Sequence, residues 1–325
     1  MRKHFPGYYK PSKDDFRKLW SEGLFVFDTN VLLDLYRFSE STVNSLLQIM
    51  ETLKDRIWIP YQVSEEYHKN LNKIISGQVK KYGESIRTLL EFKKQIDEKR
   101  SHPFLELELH QEIEAFCEKF DSVLDKKQKN VKELILSNPT KERLADILEN
   151  SIGEPFTDDE LKIIFTEGES RYFKKQPPGY LDNKKGEPDK YGDLIVWKEI
   201  LKKNKSIDQP VIFVTGDTKE DWFQVEMGMT IGPRPELISE LKKEKNNLFY
   251  CYSTDSFLKY SNEYLDAKIG EDILEEVGDF IEKSRTIEET ESESEIDEST
   301  SESTVEGSVS ITNQRSSESS ALGGL

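Results

Sequence analysis

Two short apolar runs, LFVF at 24–27 and VIFVT at 211–215, constrain the fold of this chain more than any other feature. Each run has the length of one strand and almost no polar residue, which is typical of a strand buried on both faces of a parallel sheet. An aspartate follows each run closely, Asp28 after the first and Asp217 after the second. Because open α/β sheets bind ligands outside the carboxyl ends of their strands, both aspartates are candidates for a functional site.

Further apolar segments predict that strands and helices alternate along the chain. Residues 56–60 and 248–252 have the composition of strands, and residues 39–54 carry apolar side chains at helical spacing. A helix between two strands is the crossover that a parallel pair requires. The sequence therefore predicts an α/β fold in which helices cover both faces of a mostly parallel sheet.

A long helical segment interrupts this alternation. Apolar residues from Val63 to Leu90 recur at helical spacing and predict one long helix, which ends near Pro103 because proline disfavours helix in the residue before it. A second helical stretch covers about 104–136. We expect the two helices to form an antiparallel hairpin in an insertion at about 75–150. Two interpretations of this hairpin are open: a lid or clamp over a cleft, or an arm that forms a homo-oligomer.

The charge of the chain is concentrated at its end. The formal net charge is -17, but residues 271–325 contain 16 acids and 3 bases, which leaves -4 for residues 1–270. Residues 286–325 consist mainly of Ser, Glu and Thr, so we expect a disordered acidic tail that cannot bury enough apolar surface to fold. The tail either increases solubility and spacing, binds a basic partner, or acts as an electrostatic guard over a groove that binds nucleic acid.

Composition excludes several classes of protein. Only two cysteines, Cys117 and Cys251, occur in 325 residues, and no CxxC pair accompanies them, so neither a disulfide framework nor a zinc site is indicated. The first residues lack the apolar core of a signal peptide, and no apolar run approaches the length of a membrane span. We therefore expect a soluble cytoplasmic protein without a membrane partner.

Two further acidic residues are predicted to lie near the same site. On a helix that buries Val63 and Tyr67, Glu66 lies roughly 90° from the buried face, whereas Glu65 points almost directly away from it. Asp193 opens an amphipathic helix, where it either caps the helix or contributes a carboxylate to a site. Carboxylates that come from separate elements indicate a site for a hard cation.

Four segments carry a resemblance to a known family: FVFDTNVLLDLYRFS, IPYQVSEEYHKN, PPGYLDNKKGEPDKYGDLIVWKEIL and VIFVTGDTKEDWF. In this order they resemble the PIN-like domain family, in a bacterial branch with a long helical insertion. The opening FPGYYKP and the later GPRPELISEL are similar to that branch too, so the resemblance covers roughly residues 5–265. It implies a three-layer α/β/α sandwich within residues 1–285 and metal-dependent cleavage of nucleic acid, more often RNA than DNA.

Position by position, the resemblance assigns the catalytic carboxylates. It makes Asp28 the carboxylate of the first strand and Glu66 the glutamate of the helix. Asp193 matches the aspartate of the helix that begins with GD, and Asp217 matches the aspartate after VTG. Asp221 is similar to an auxiliary acid of the family. The resemblance therefore implies that these five residues bind Mg²⁺ or Mn²⁺.

The same carboxylates suit phosphodiester hydrolysis on chemical grounds. The reaction needs a nucleophile that is strong near neutral pH, and it needs positive charge beside the phosphoryl and leaving oxygens. One or two Mg²⁺ or Mn²⁺ ions supply both. Our hypothesis is that Asp28, Asp193 and Asp217 bind metal directly or through water. Glu66 would hold a second metal ion or the attacking water.

Two polar neighbours are predicted to orient these acids. Asn30 lies two residues after Asp28, and Thr215 lies two residues before Asp217. Hydrogen bonds from such neighbours fix the direction in which metal-binding side chains point.

A basic loop before the third aspartate is predicted to contact the substrate. Residues 171–190 contain six bases and three acids. Lysines can follow a phosphate backbone, and Tyr180 or Tyr191 can stack on an unpaired base. An ordinary solvated loop is the alternative interpretation. The predicted substrate-binding residues are Lys174, Lys175, Lys184, Lys185 and Lys190.

Two other functions are open. VTGDTKED also resembles the acidic motif of haloacid-dehalogenase-like phosphatases, with Asp28 as nucleophile, but those enzymes require an aspartate where this chain has Asn30. The second alternative is a non-catalytic interaction module that keeps the fold. The four principal acids argue against it, because a scaffold does not need to gather carboxylates that repel one another.

Overall fold

The computed structural model describes residues 1, 4–97, 105–217 and 220–286. The chain divides into two compact units, Met1–Val277 and Gly278–Leu325. In the second unit the described residues, 278–286, are helical. The acidic tail predicted from residue 286 falls almost entirely on 287–325, outside the described residues.

The first unit is a mixed α/β fold that is mostly helical. Its strands are β1 (Leu24–Phe27), β2 (Val211–Thr215), β3 (Phe223–Glu226), β4 (Met229–Pro233) and β5 (Phe249–Ser253). Its helices are α1 (Lys13–Glu22), α2 (Thr29–Asp34), α3 (Glu40–Leu53), α4 (Tyr61–Asp97), α5 (Leu107–Glu133), α6 (Pro139–Leu148), α7 (Asp158–Phe173), α8 (Gly192–Ser206), α9 (Pro235–Glu244) and α10 (Thr254–Leu265).

The parallel sheet that the apolar runs predict is present. It has three strands in the order β1-β2-β5, and both pairs are parallel. Every residue of β1 and β2 is buried, which explains why these runs have almost no polar position. The central position of β2 brings its carboxyl end beside the carboxyl ends of both neighbours. The three-layer arrangement of the sandwich stays a prediction.

The predicted strand at 56–60 is not a continuous strand. Ile57 forms a single bridge to Phe25, whereas Ile59 forms a single bridge to Ile152. Alternate residues thus pair with different segments, and Pro60 has no N–H group with which to continue a ladder. A short antiparallel hairpin of β3 and β4, which the apolar pattern did not indicate, forms a separate two-stranded sheet.

The two long helices pair as an antiparallel hairpin. Gln128 donates a hydrogen bond to the Val79 carbonyl at 3.0 Å, so the end of α5 lies beside the middle of α4. At the other end His110 Nε2 lies 3.0 Å from an Asp97 carboxylate oxygen. Within the described part of the chain, no helix combines the length and apolar character that a membrane span requires.

Candidate functional site

Asp28 stands at the junction of β1 and α2. The Asp28 N–H bonds the Val214 carbonyl at 2.9 Å and so extends the sheet by one residue. Helix α2 begins at the next residue, with Asp28 as its N-cap. One carboxylate oxygen accepts the Thr29 N–H at 2.7 Å, and the other accepts the Thr215 hydroxyl at 2.7 Å. The sheet and two hydrogen bonds therefore fix the direction of this carboxylate.

Burial and neighbouring acids change the protonation of Asp28. Its pKa is raised to about 7, chiefly because the carboxylate is desolvated, and the charges of Glu66 and Asp217 raise it further. The hydrogen bond from Thr215 acts in the opposite direction, since it favours the ionised form. A positive charge at this position would restore the ionised carboxylate.

Thr215 joins the ends of the two neighbouring strands. Its hydroxyl donates to Asp28 and accepts the Asp217 N–H at 3.0 Å, so one side chain positions two candidate acids. Asn30 acts on the backbone, because its side-chain oxygen accepts the Gly216 N–H at 3.0 Å. The structure thus places both predicted orienting residues at the site, with Thr215 bonded directly to a carboxylate.

Glu66 approaches this edge of the sheet from the second turn of α4. The Thr29 hydroxyl donates to one of its carboxylate oxygens at 2.8 Å, and the Gln62 amide donates to the other at 2.8 Å. The backbone of Gly192 lies close enough that a Cβ there would be 2.8 Å from the carboxylate. A glycine at the start of α8 therefore allows α4 and α8 to approach at the site.

Asp193 lies in the first turn of α8, but Tyr191 occupies the N-cap position. The alternative in which Asp193 simply caps the helix is therefore not what the structure shows. The pKa of Asp193 is raised, first by burial and then by the charges of neighbouring aspartates. Those neighbours are Asp221, Asp217, Asp182 and Asp28, in decreasing order of effect.

Asp221 is completely buried and is held by a loop that precedes α8. One of its carboxylate oxygens accepts the Gly179 N–H at 2.9 Å. Gly179 has φ of 84°, a left-handed conformation that glycine adopts without strain, and a Cβ at this position would lie 3.1 Å from the Cβ of Asp193. The PPG segment thus supplies a backbone donor to Asp221 at a point close to Asp193.

A buried arginine fixes the position of that loop. Arg171 is 3% exposed and donates to both carboxylate oxygens of Glu240, at 2.8 and 2.9 Å. It also donates to Glu167 at 3.1 Å and to the Pro177 carbonyl. Because Pro177 is two residues before Gly179, the ion pair between α7 and α9 supports the donor to Asp221.

These contacts bring the five predicted acids into one electrostatic neighbourhood, but not into a closed coordination shell. Among the residues that the structure describes, no three carboxylate, histidine or cysteine side chains lie close enough together to hold a metal ion. The donor set nevertheless fits a hard divalent cation, because it consists of carboxylate oxygens whose mutual repulsion such an ion would relieve. Mg²⁺ and Mn²⁺ both prefer oxygen ligands of this type.

The predicted substrate-binding lysines differ in their surroundings. Lys174 and Lys175 are exposed just after α7. Lys185 forms an ion pair with Asp182 at 2.6 Å, and Lys190 forms ion pairs with two glutamates at 2.6 and 3.1 Å. Lys184 is exposed as well. Lys190 is therefore partly engaged within the protein rather than fully available to a phosphate.

The expectation that Tyr191 stacks on a base is wrong. Its ring is 1% exposed and stacks on Phe165 at 4.8 Å, within a small apolar cluster beside α7. A ring enclosed in this way cannot receive a base. Tyr180 packs against the same cluster but is partly exposed.

Three residues that position the site were not identified from the sequence. Thr29 follows a candidate acid directly, and its hydroxyl could have been considered, but DTN is also common in turns. Gly179 in PPG indicated only a loop. Arg171 carried no signal that separates it from the lysines after it, because its partner Glu240 lies 69 residues further along the chain.

A comparison with protein families gives a match over most of the first unit. A family model described as PIN like domain matches residues 24–237, which begin at β1 and end within α9. The matched span contains all five candidate acids. Comparisons with curated proteins and with solved structures found no match. Because the family model covers more than half of the chain, the chain belongs to the PIN-like domain family.

Proposed function

We propose that this protein is a metal-dependent endoribonuclease that hydrolyses phosphodiester bonds with its acidic cluster. The observation that carries the proposal is the mutual effect of the acids: Asp28, Glu66, Asp217 and Asp221 each raise the pKa of at least one neighbouring aspartate. Folding stability alone gives no reason to gather buried like charges, whereas binding of a divalent cation does. Membership of the PIN-like domain family supports the same reaction class.

The residues of the chain have separate tasks in this proposal. Asp28, Asp193 and Asp217 would hold Mg²⁺ or Mn²⁺, with Asp221 as a further acid and Glu66 beside them. The cation would supply an acidified water and charge neutralisation at the scissile phosphate. Thr29 and Thr215 keep Asp28 and Glu66 in fixed directions, which reduces the reorganisation needed when substrate binds.

The proposed substrate class is RNA. Cleavage of RNA in preference to DNA rests on the family. Lys174 and Lys175, exposed near the loop that leads to Asp193, would contact the phosphate backbone. Tyr180 would stack on an unpaired base.

The test measures cation binding and cleavage in the same preparations. Mn²⁺ binding would be followed by calorimetry, and cleavage by a panel of labelled single- and double-stranded RNA and DNA with Mn²⁺, Mg²⁺ or EDTA. We expect metal-dependent internal cleavage of RNA that Asp28→Asn abolishes, because this substitution removes a carboxylate from the cluster. Asp159→Asn is the matched control, since Asp159 is exposed and forms an ion pair with Lys162 on the same helix.

The result also separates the alternatives. Equal cleavage by Asp28→Asn and the unaltered chain would identify a contaminating nuclease and contradict the proposal. A folded protein that neither binds Mn²⁺ nor cleaves would favour a non-catalytic interaction module, the alternative that the open spacing of the acids favours. A phosphatase is disfavoured because Asn30 holds the Gly216 backbone where a second aspartate would be required.

A further inference from the structure

Helix α5 carries an apolar stripe that the described residues of the chain leave exposed. Its members are spaced four, three, four and three residues apart, which is the heptad spacing of a helix that packs against another helix. Four of them have exposed fractions of 46, 60, 41 and 44%, and the second member, Ile113, is partly exposed. The α5 stripe consists of Leu109, Ile113, Phe116, Phe120 and Val123.

The α5 stripe is separate from the contact between α5 and α4. That contact uses Cys117 and Leu124, which are buried, and Gln128, which bonds α4. At 100° per residue, this contact face lies roughly 90° around α5 from the centre of the stripe. The intramolecular hairpin therefore leaves the stripe available.

The centre of the stripe is an exposed aromatic pair. The rings of Phe116 and Phe120 stack with their centroids 5.7 Å apart and their planes 11° from parallel. Two adjacent phenylalanines at 60% and 41% exposure form a contiguous apolar surface in a helix that is otherwise rich in charge. Exposed apolar patches of this kind mark interaction surfaces.

The charges on α5 are divided at the same centre. From residue 106 to residue 118 the helix and its N-cap have five acids and no lysine or arginine. From residue 119 to residue 132 there are five lysines and two acids. The acidic half is formed by Glu106, Glu108, Glu112, Glu114 and Glu118, and the basic half contains Lys119, Lys126, Lys127, Lys129 and Lys132.

We infer that the α5 stripe binds the α5 stripe of a second copy of this chain, with the two helices antiparallel. A two-fold axis near Phe116 places Leu109 opposite Val123 of the other copy and Ile113 opposite Phe120 of the other copy. The same axis places the acidic half of each α5 beside the basic half of its partner, whereas Glu114 and Glu118 pair with Lys93 of α4 at 3.5 and 3.6 Å within one copy. A surface that is complementary to itself in both shape and charge is what a symmetric dimer requires.

A parallel pair would lack this complementarity, because acidic halves would face each other and so would basic halves. The stripe extends over 15 residues, or about 22 Å of helix. An interface of that length is small, so the dimer forms in a concentration-dependent equilibrium rather than permanently. The hairpin is thus an assembly arm, the second of its two interpretations.

The first experiment is sedimentation velocity of the full chain across a wide concentration range, in EDTA and without nucleic acid. We expect the weight-average mass to rise from that of a monomer towards that of a dimer. Phe116→Glu places a charge at the two-fold axis and should shift the transition to at least tenfold higher concentration. Phe92→Glu is the matched control, because Phe92 is 48% exposed on the same hairpin but lies outside the stripe, and it should leave the transition unchanged.

A charge exchange tests the antiparallel arrangement itself. Glu112 lies four residues before Phe116 and Lys119 lies three residues after it, so the two face each other across the proposed axis. Glu112→Lys and Lys119→Glu should each weaken self-association, because each puts like charges together twice. An equal mixture of the two variants should regain dimers, since both contacts then join opposite charges.

The outcomes are decisive in both directions. A chain that remains monomeric at the highest concentration overturns the proposal and leaves the stripe to a different protein. A dimer that Phe116→Glu does not weaken uses another surface, which also overturns it. Recovery in the mixture supports the antiparallel pair, whereas two weakened variants that stay monomeric when mixed contradict it. Unchanged helical circular dichroism and melting temperature show that each variant is folded. No result depends on nuclease activity.

Discussion

At the scale of single residues, two threonine hydroxyls determine how the acids are held. Thr29 bonds Glu66, and Thr215 bonds Asp28 while accepting the N–H of Asp217. Each hydroxyl serves as a short link between groups that come from different elements. The acids are therefore fixed in direction but remain close to other negative charges, which has a cost in stability.

Because of this cost, the free energy of unfolding of the metal-free protein should depend on pH through the ionisation of Asp28. Its folded pKa of about 7 lies above the ordinary value of 3.8, so its contribution to stability is present below pH 3.8 and is lost as the pH rises through 7. Because asparagine does not ionise, Asp28→Asn does not lose stability over this pH range. The variant should gain stability relative to the unaltered chain between pH 4 and pH 8, by at most about 4 kcal/mol.

Chemical denaturation in EDTA at several pH values measures this difference. The free energy of unfolding of Asp159→Asn should change with pH in the same way as that of the unaltered chain, since Asp159 is exposed. Addition of Mn²⁺ at pH 8 should stabilise the unaltered chain more than Asp28→Asn. Parallel stability curves for Asp28→Asn and the unaltered chain would contradict the assignment of a raised pKa to this carboxylate.

At the scale of elements, the site depends on how closely α4 and α8 approach. Helix α4 supplies Glu66, helix α8 supplies Asp193, and Gly192 is the point where the backbone of α8 meets the Glu66 carboxylate. A side chain at residue 192 would occupy the space of that carboxylate. The contact between the helices is therefore a determinant of the site as well as of packing.

Gly192→Ala tests this determinant. A Cβ at this position would lie 2.8 Å from Glu66 Oε1, so the carboxylate must shift and disturb its hydrogen bonds from Gln62 and Thr29. Because the displaced group is the end of a flexible side chain, we expect an unchanged melting temperature and a roughly tenfold to hundredfold lower cleavage rate. Gly186→Ala is the matched control, since no atom lies within 4 Å of its added Cβ. Equal rates for the two variants would show that the position of Glu66 is not critical.

Elements whose pattern is local were predictable from the sequence, and elements that need a distant partner were not. The apolar runs of β1 and β2 and the long periodic helix α4 lie where the sequence predicts them. Residues 56–60 look like a strand, but Ile57 and Ile59 pair with different segments, a distinction that only the folded chain defines. The burial of Tyr191 follows from tertiary packing in the same way.

The candidate acids were found more readily than the groups that hold them. Asp28 and Asp217 follow apolar strands, so their position at the edge of the sheet could be inferred from two local patterns. The donor to Asp221 is a backbone N–H of Gly179, and a backbone group leaves no mark in the residue type. Arg171 supports the loop that carries this donor through an ion pair with Glu240 of α9. That ion pair could not be predicted from the sequence, because its two members are far apart in the chain.

At the scale of the whole molecule, negative charge is concentrated in the last segment of the sequence, and it has the same sign as the proposed substrate. Residues 287–325 contain ten acids and one base, so removal of this segment changes the net charge from -17 to -8. Nucleic acid is repelled by negative charge within a screening length. The tail should therefore weaken nucleic-acid binding.

Truncation after Thr286 tests this effect. The truncated chain should bind single-stranded RNA more tightly at low salt, and the advantage should diminish as salt increases because screening removes the repulsion. A full-length chain with the tail acids replaced by glutamine is the control, and it should match the truncation. Fluorescence anisotropy with labelled RNA measures both. An advantage that does not depend on salt would contradict an electrostatic role for the tail.

The order of strands in the sheet also determines when the acidic site can assemble during synthesis of the chain. Leu24 pairs with Val211, and β5, the third strand, ends at Ser253. β1 therefore emerges from the ribosome long before its partner in the sheet exists, and contacts of such long range form slowly. The carboxylates of β1 and β2 meet only after β2 has been translated. A nascent chain thus carries no assembled acidic site before that point, and the proposed hydrolase would stay silent until then.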